Sequence, residues 1–134
     1  DNRDVVIIEG EQTRLGVGND LFNNIKSIKR IICPAKNAFN KYNYILDEAK
    51  TISKDKLILI ALGPTATVLA YDLNKLGYQA IDVGHIDIEY EWFLQKVTEK
   101  VKLKNKYVNE GTGDINISNE NDGSYNKEII KLIL

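Results

Sequence analysis

The chain has 134 residues, 43% of them hydrophobic and 28% charged, with 18 Lys+Arg against 19 Asp+Glu. That length suits one compact domain with enough apolar material for a core. The net charge of −1 lacks the basic surface that nucleic acid or an anionic membrane calls for, and no apolar run is long enough to span a bilayer. The one cysteine, Cys33, can form neither an internal disulfide nor a metal cage, so a reducing, cytoplasmic setting is expected. Without any methionine or signal-peptide pattern, the sequence reads as a fragment or a processed chain.

Asp4 to Ile8 is a continuous β-branched run, which predicts a strand buried on both faces. A polar, glycine-rich stretch from Glu9 to Gly18 ends it. Asn19-Asp20 is then expected to cap a short helix carrying Leu21, Phe22 and Ile25. Lys29 to Cys33 predicts a second strand, stopped by Pro34. Between Lys36 and about Ile52, Phe39, Tyr42, Ile45, Leu46 and Ala49 recur at helical spacing. Lys56 to Leu62 is the clearest strand, and Gly63-Pro64-Thr65-Ala66-Thr67 opens a helix directly after it. Gly77 is placed to terminate that helix, with Tyr78 closing the cap. Gln79 to Val83 returns as a fourth strand. Trp92 and Phe93 read as core, residues 105–134 as a polar loop followed by a short terminal helix, and residues 1–104 as the folded domain. Strands alternating with helices at this spacing predict an α/β fold: a Rossmann-like parallel sheet with helices on both faces.

In such a sheet, ligands bind beyond the carboxyl ends of the strands. Three unusual segments fall there: Glu9 to Asn19, Gly63 to Thr67, and Gly84 to Glu89. Gly63-Pro64-Thr65-Ala66-Thr67 offers a helix N-terminus and two hydroxyls, suited to a phosphate or simply to capping the helix. Arg14 is either a planar phosphate partner or a solvated surface arginine. Glu9 and Glu11 are candidates for a base or for sugar hydroxyls, and equally ordinary loop acids. The glycines at 10, 16 and 18 do not fit the dinucleotide fingerprint, since Leu21 stands where its last glycine would fall. If the segment after Gly84 is extended, His85, Asp87 and Glu89 share one side, and the two carboxylates could meet a hard divalent cation. With 19 acids in the chain, the spacing also arises by chance, and a lone histidine is commonly structural.

The blocks Asp4-Val5-Val6-Ile7-Ile8-Glu9-Gly10-Glu11, Arg14 to Phe22, Arg30-Ile31-Ile32-Cys33-Pro34, Ala61 to Ala70 and Gly84 to Trp92 together resemble the GT-D-fold glycosyltransferases, a bacterial family. The resemblance runs from about Asp4 to Tyr107. It implies metal-dependent transfer of a hexose, glucose or galactose, from a UDP-sugar to a glycan acceptor on a glycoprotein or surface polysaccharide. The family's D-x-E motif falls on Asp87 and Glu89, which would hold Mn²⁺ or Mg²⁺. Rim position, rather than the family, nominates Arg14, Gly63, Thr65 and His85 for phosphate contacts, and Glu11 and Asn19 for the donor sugar or a base. The family's upstream half, with its Gly-Asp-Gly-Glu-type loop, has no counterpart here, so the chain resembles the C-terminal half of such a domain. An apolar edge left by that half would favour a homo-oligomer. The competing expectation is a non-catalytic nucleotide- or phosphosugar-binding module on the same frame.

Overall fold

The computed structural model describes residues 3–18, 20–84, 90, 93 and 123–134. Within them the chain runs β1 (Asp4–Gly10), β2 (Ser27–Cys33), a 3₁₀ turn (Ala38–Lys41), α1 (Tyr42–Ala49), β3 (Leu57–Ala61), α2 (Pro64–Lys75), β4 (Gln79–Asp82), α3 (Gly123–Glu128) and β5 (Ile129–Leu132). The five strands form one sheet in the order β4-β3-β1-β2-β5, and every pairing is parallel.

Strand periodicity sorts the core into two layers. Val6, Ile8, Ile31, Cys33, Ile58 and Ile60 face α1 and α2, where Ile45, Ala49, Ala66, Leu69 and Leu73 complete a buried cluster. Val5, Ile7 and Leu59 face the other way and pack with Leu15, Phe22, Ile25 and Ile28, so the β1–β2 connection itself covers that face. Tyr125 of α3 lies on that second side as well, with the Arg30 guanidinium 4.8 Å from its ring centre. The expected Rossmann-like sheet with helices on both faces is therefore the observed architecture.

Helix α2 is defined by its ends. Pro64 occupies its first turn, where a missing amide hydrogen is harmless, and Gly63 precedes it at φ 57°, ψ −140°, a conformation that a side chain would strain. At the other end Gly77, at φ 96°, donates to the Asn74 carbonyl while Tyr78 N–H reaches the Leu73 carbonyl. That pair of bonds is a Schellman closure, and Tyr78 and Leu73 are buried in the same cluster.

Two predicted helices are absent. Residues 20–24 form successive tight turns, with Asn23 N–H on the Asp20 carbonyl and Ile25 N–H on the Phe22 carbonyl. So short a stretch before β2 cannot offset the cost of helix nucleation, and Phe22 and Ile25 satisfy the second face without it. The predicted terminal helix over Lys127 to Leu134 is instead the end of α3 followed by strand β5. Its Ile-rich sequence suits a strand, and the open edge of β2 supplies hydrogen-bond partners, including Ile133 N–H to the Ile32 carbonyl at 2.7 Å. Strand β5 thus belongs to the same sheet as the rest, with α3 leading into it. Phe93, expected in the core, is 75% exposed, and Trp92 lies outside the described residues.

Candidate functional site

The strand order places the carboxyl ends of β1, β2 and β3 side by side. From β1 the chain turns towards β2, and from β3 it turns the opposite way to β4, so the ends of β1 and β3 flank a topological switch point. A cavity of about 470 Å³ opens there, lined by Gly10 and Thr13 after β1, the 34–39 segment after β2, and Ala61 to Thr65 leading into α2. That volume lies in the range of small-molecule sites, roughly 300–1,000 Å³. Its wall is apolar at Pro34, Ala38, Phe39 and Leu62, and polar at Thr13, Lys36, Asn37 and Thr65. The N-terminus of α2 forms one end, and a helix N-terminus favours an anion by about 0.3–1 kcal/mol at an exposed site.

The nominated residues separate in space. Gly63 and Thr65 share the cavity wall. Of the two hydroxyls at the start of α2, Thr67 donates to Asp82 at the end of β4 (3.1 Å), and Asp82 also accepts from Gly84 N–H (3.1 Å). That leaves Thr65, buried at 6% exposure, as the hydroxyl available to a ligand. Arg14 does not line this cavity. It sits at φ 48° with its guanidinium 5.5 Å from the Tyr125 ring centre, on the opposite side of the sheet. Glu11 is exposed on the rim. Asn19, His85, Asp87 and Glu89 lie outside the described residues, and among the described ones no three His, Cys, Asp or Glu converge as a metal site.

Sequence reasoning missed a charged cluster beneath the second face. Glu9, fully buried, accepts from Arg30 Nη1 at 2.8 Å, from Leu15 N–H at 2.7 Å and from the Tyr125 hydroxyl at 3.3 Å. Arg30, 2% exposed, also donates from Nε to Glu128 at 2.8 Å. Burial works against the guanidinium charge, but Glu9 and Glu128 outweigh it and raise the Arg30 pKa above its usual value. Burial, reinforced by Glu9, holds the Tyr125 phenol above its usual range too. These contacts join β1, the loop after it, β2 and α3. The available signal was an arginine among the apolar residues of a short strand, on the same side as Glu9.

The chain is similar to known proteins along nearly its whole length. A family model described as "Glycosyltransferase GT-D fold" matches residues 1–111. The "Probable glycosyl transferase Gly" of Streptococcus gordonii is 46% identical over 129 residues, covering 96% of this chain and 19% of that protein. "Glycosyltransferase GlyD" of Streptococcus pneumoniae serotype 4 (strain ATCC BAA-334 / TIGR4) is 47% identical over 134 residues, covering 100% of this chain and 16% of its own length. Among solved structures, a highly conserved domain of unknown function 1792 with a distinct glycosyltransferase fold superposes at a TM-score of 0.94 and 50% identity, covering 98% of this chain and 48% of that one. A new glycosyltransferase from Streptococcus sanguinis superposes at 0.93 with 46% identity, covering 99% and 50%. The chain thus spans about half of those solved chains and under a fifth of the curated relatives. With the family model matching far more than half of it, the chain belongs to the GT-D-fold glycosyltransferase family.

Proposed function

We propose that the chain is the part of a glycosyltransferase that holds the sugar-nucleotide donor. The reaction is transfer of a hexose, glucose or galactose, from a UDP-sugar to a glycan acceptor on a glycoprotein or surface polysaccharide. The observation that carries this reading is the cavity at the switch point, with the N-terminus of α2 at one end, in a chain of the GT-D family. Gly63 and Thr65 would contact the donor diphosphate there. Glu11 on the rim and Asn19 are the candidates for the donor sugar or a base, and His85 for a phosphate contact, whereas Arg14, beside Tyr125, stands away from this cavity.

Family resemblance gives the divalent cation, Mn²⁺ or Mg²⁺, to Asp87 and Glu89. Carboxylate oxygens are hard donors of the kind such ions prefer. The pair follows β4 in sequence, and Asp82, by anchoring both Thr67 and Gly84, sets the start of that segment against α2. When bound, the cation would supply Lewis-acid stabilisation of the leaving nucleoside diphosphate.

Calorimetric titration of UDP with and without Mn²⁺ tests the reading, together with release of UDP from UDP-glucose and UDP-galactose. Mn²⁺ is expected to tighten UDP binding about tenfold or more, an effect lost in Asp87→Ala and Glu89→Ala. Unchanged metal dependence in both variants would remove the cation from these residues. UDP binding with no transfer, even within the longer protein, would favour the non-catalytic nucleotide-binding module.

A further inference from the structure

The cavity between the ends of β1, β2 and β3 carries one unassigned feature. The Thr65 hydroxyl is on its wall, the residue is 6% exposed, and it has no hydrogen-bond partner among the described residues. Buried hydroxyls are ordinarily paired, so an orphan beside an open cavity points to a group supplied from outside. At Gly63 the helix has no side-chain cap. Across the cavity, Lys36 is exposed and makes no ion pair among the described residues, although the chain is close to charge-neutral. Gly10 keeps the floor open: a Cβ there would lie 3.3 Å from Thr13 Oγ1 and 3.4 Å from the Ala35 Cα. A helix N-terminus, an unpaired hydroxyl and an unpaired ammonium are three complementary partners for one phosphoryl group.

We propose that this cavity is a phosphate subsite in which Lys36, Thr65 and the N-terminus of α2 bind a phosphoryl group of the donor without a divalent cation. Lys36 is the charged partner, a role that rim position had given to Arg14. Among the described residues, none of β4 or of the 82–84 segment lines the cavity. The inference deepens the transferase reading and rests on it for the kind of ligand.

Inorganic pyrophosphate, titrated into the chain in EDTA and followed by amide NMR, tests it. Shifts should concentrate at Thr13, Lys36, Thr65 and Ala66. Lys36→Ala and Thr65→Val should each weaken binding about tenfold, and Lys36→Arg should preserve it. The amide spectra show at once whether each variant is folded. Absence of binding in EDTA, shifts centred elsewhere on the rim, or equal affinity in Lys36→Ala would overturn the subsite. Mn²⁺-dependent UDP binding that survives any of those results leaves the transferase reading standing. Loss of sugar transfer with pyrophosphate binding intact would count against that reading alone.

Discussion

Cys33 ends β2 against the α1 and α2 layer, fully buried, and burial pushes its thiol up to about 12, with the Glu9 carboxylate adding to the shift. In the unfolded chain the thiol titrates near its ordinary value of 9.0. Because the folded value is the higher one, its contribution to stability is fully present below about pH 9 and is lost as pH rises towards about 12. The unfolding free energy from urea titrations should stay level up to about pH 9 and then fall by roughly 1.4 kcal/mol per pH unit for this group. Cys33→Ala should flatten the first part of that fall. The steeper part above pH 10 remains, since Tyr42 and Tyr125 are also raised from 10.0, with burial the largest cause for each. The same pH profile in both proteins would show that the thiol ionises equally easily folded and unfolded. Composition told only that Cys33 has no disulfide partner, because burial is set by which face of β2 meets the helices.

Among the elements, the Glu9–Arg30 pair joins β1 to β2 at 2.8 Å, and Glu128 and Tyr125 extend it to α3. Removing one partner of a buried pair strands the other charge, at a cost of about 3–5 kcal/mol. Glu9→Gln is therefore expected to lower the unfolding free energy by about 3 kcal/mol, and Arg30→Met by a similar amount. The double replacement should recover much of the loss, measured by chemical denaturation of all four proteins. Additive losses would mean that the two charges are not coupled. The strands themselves were readable, because continuous β-branched runs such as Leu57–Ala61 admit few other structures. Helix α2 was readable because Pro64 and Gly77 mark both ends. Short segments were not: the 20–24 turns and β5 depend on partners distant in sequence.

For the whole molecule, β5 closes the open side of β2 and places Ile133 in the α1–α2 core, while Ile130, Leu132 and Leu134 stay more than half exposed. Removing residues 129–134 would turn β2 into an edge strand whose apolar ladder, Ile31 to Cys33, lies bare. The shortened chain is expected to lose at least about 3 kcal/mol of stability, from lost burial and lost ladder bonds. It should also self-associate, which light scattering at increasing concentration would show. A shortened chain as stable and as monodisperse as the original would mean that β5 is dispensable. The candidate site also belongs to this scale, since its wall draws on the ends of three strands.

Local chemistry determined much of this protein: β1 to β4, helix α2 with both its ends, the parallel sheet, the nomination of Gly63 and Thr65, and the family itself. Those features are written in runs of neighbouring residues, where backbone preference and hydrophobic period act directly. Tertiary structure decided the rest. It paired Glu9 with Arg30, drew the C-terminal segment into the sheet as a strand, and moved Arg14 to the far face beside Tyr125. It also set Lys36 across a cavity from Thr65. Each of these is a contact between residues far apart along the chain, governed by strand order and by which way each side chain leaves its strand or loop. Neither is a property of any short stretch of sequence.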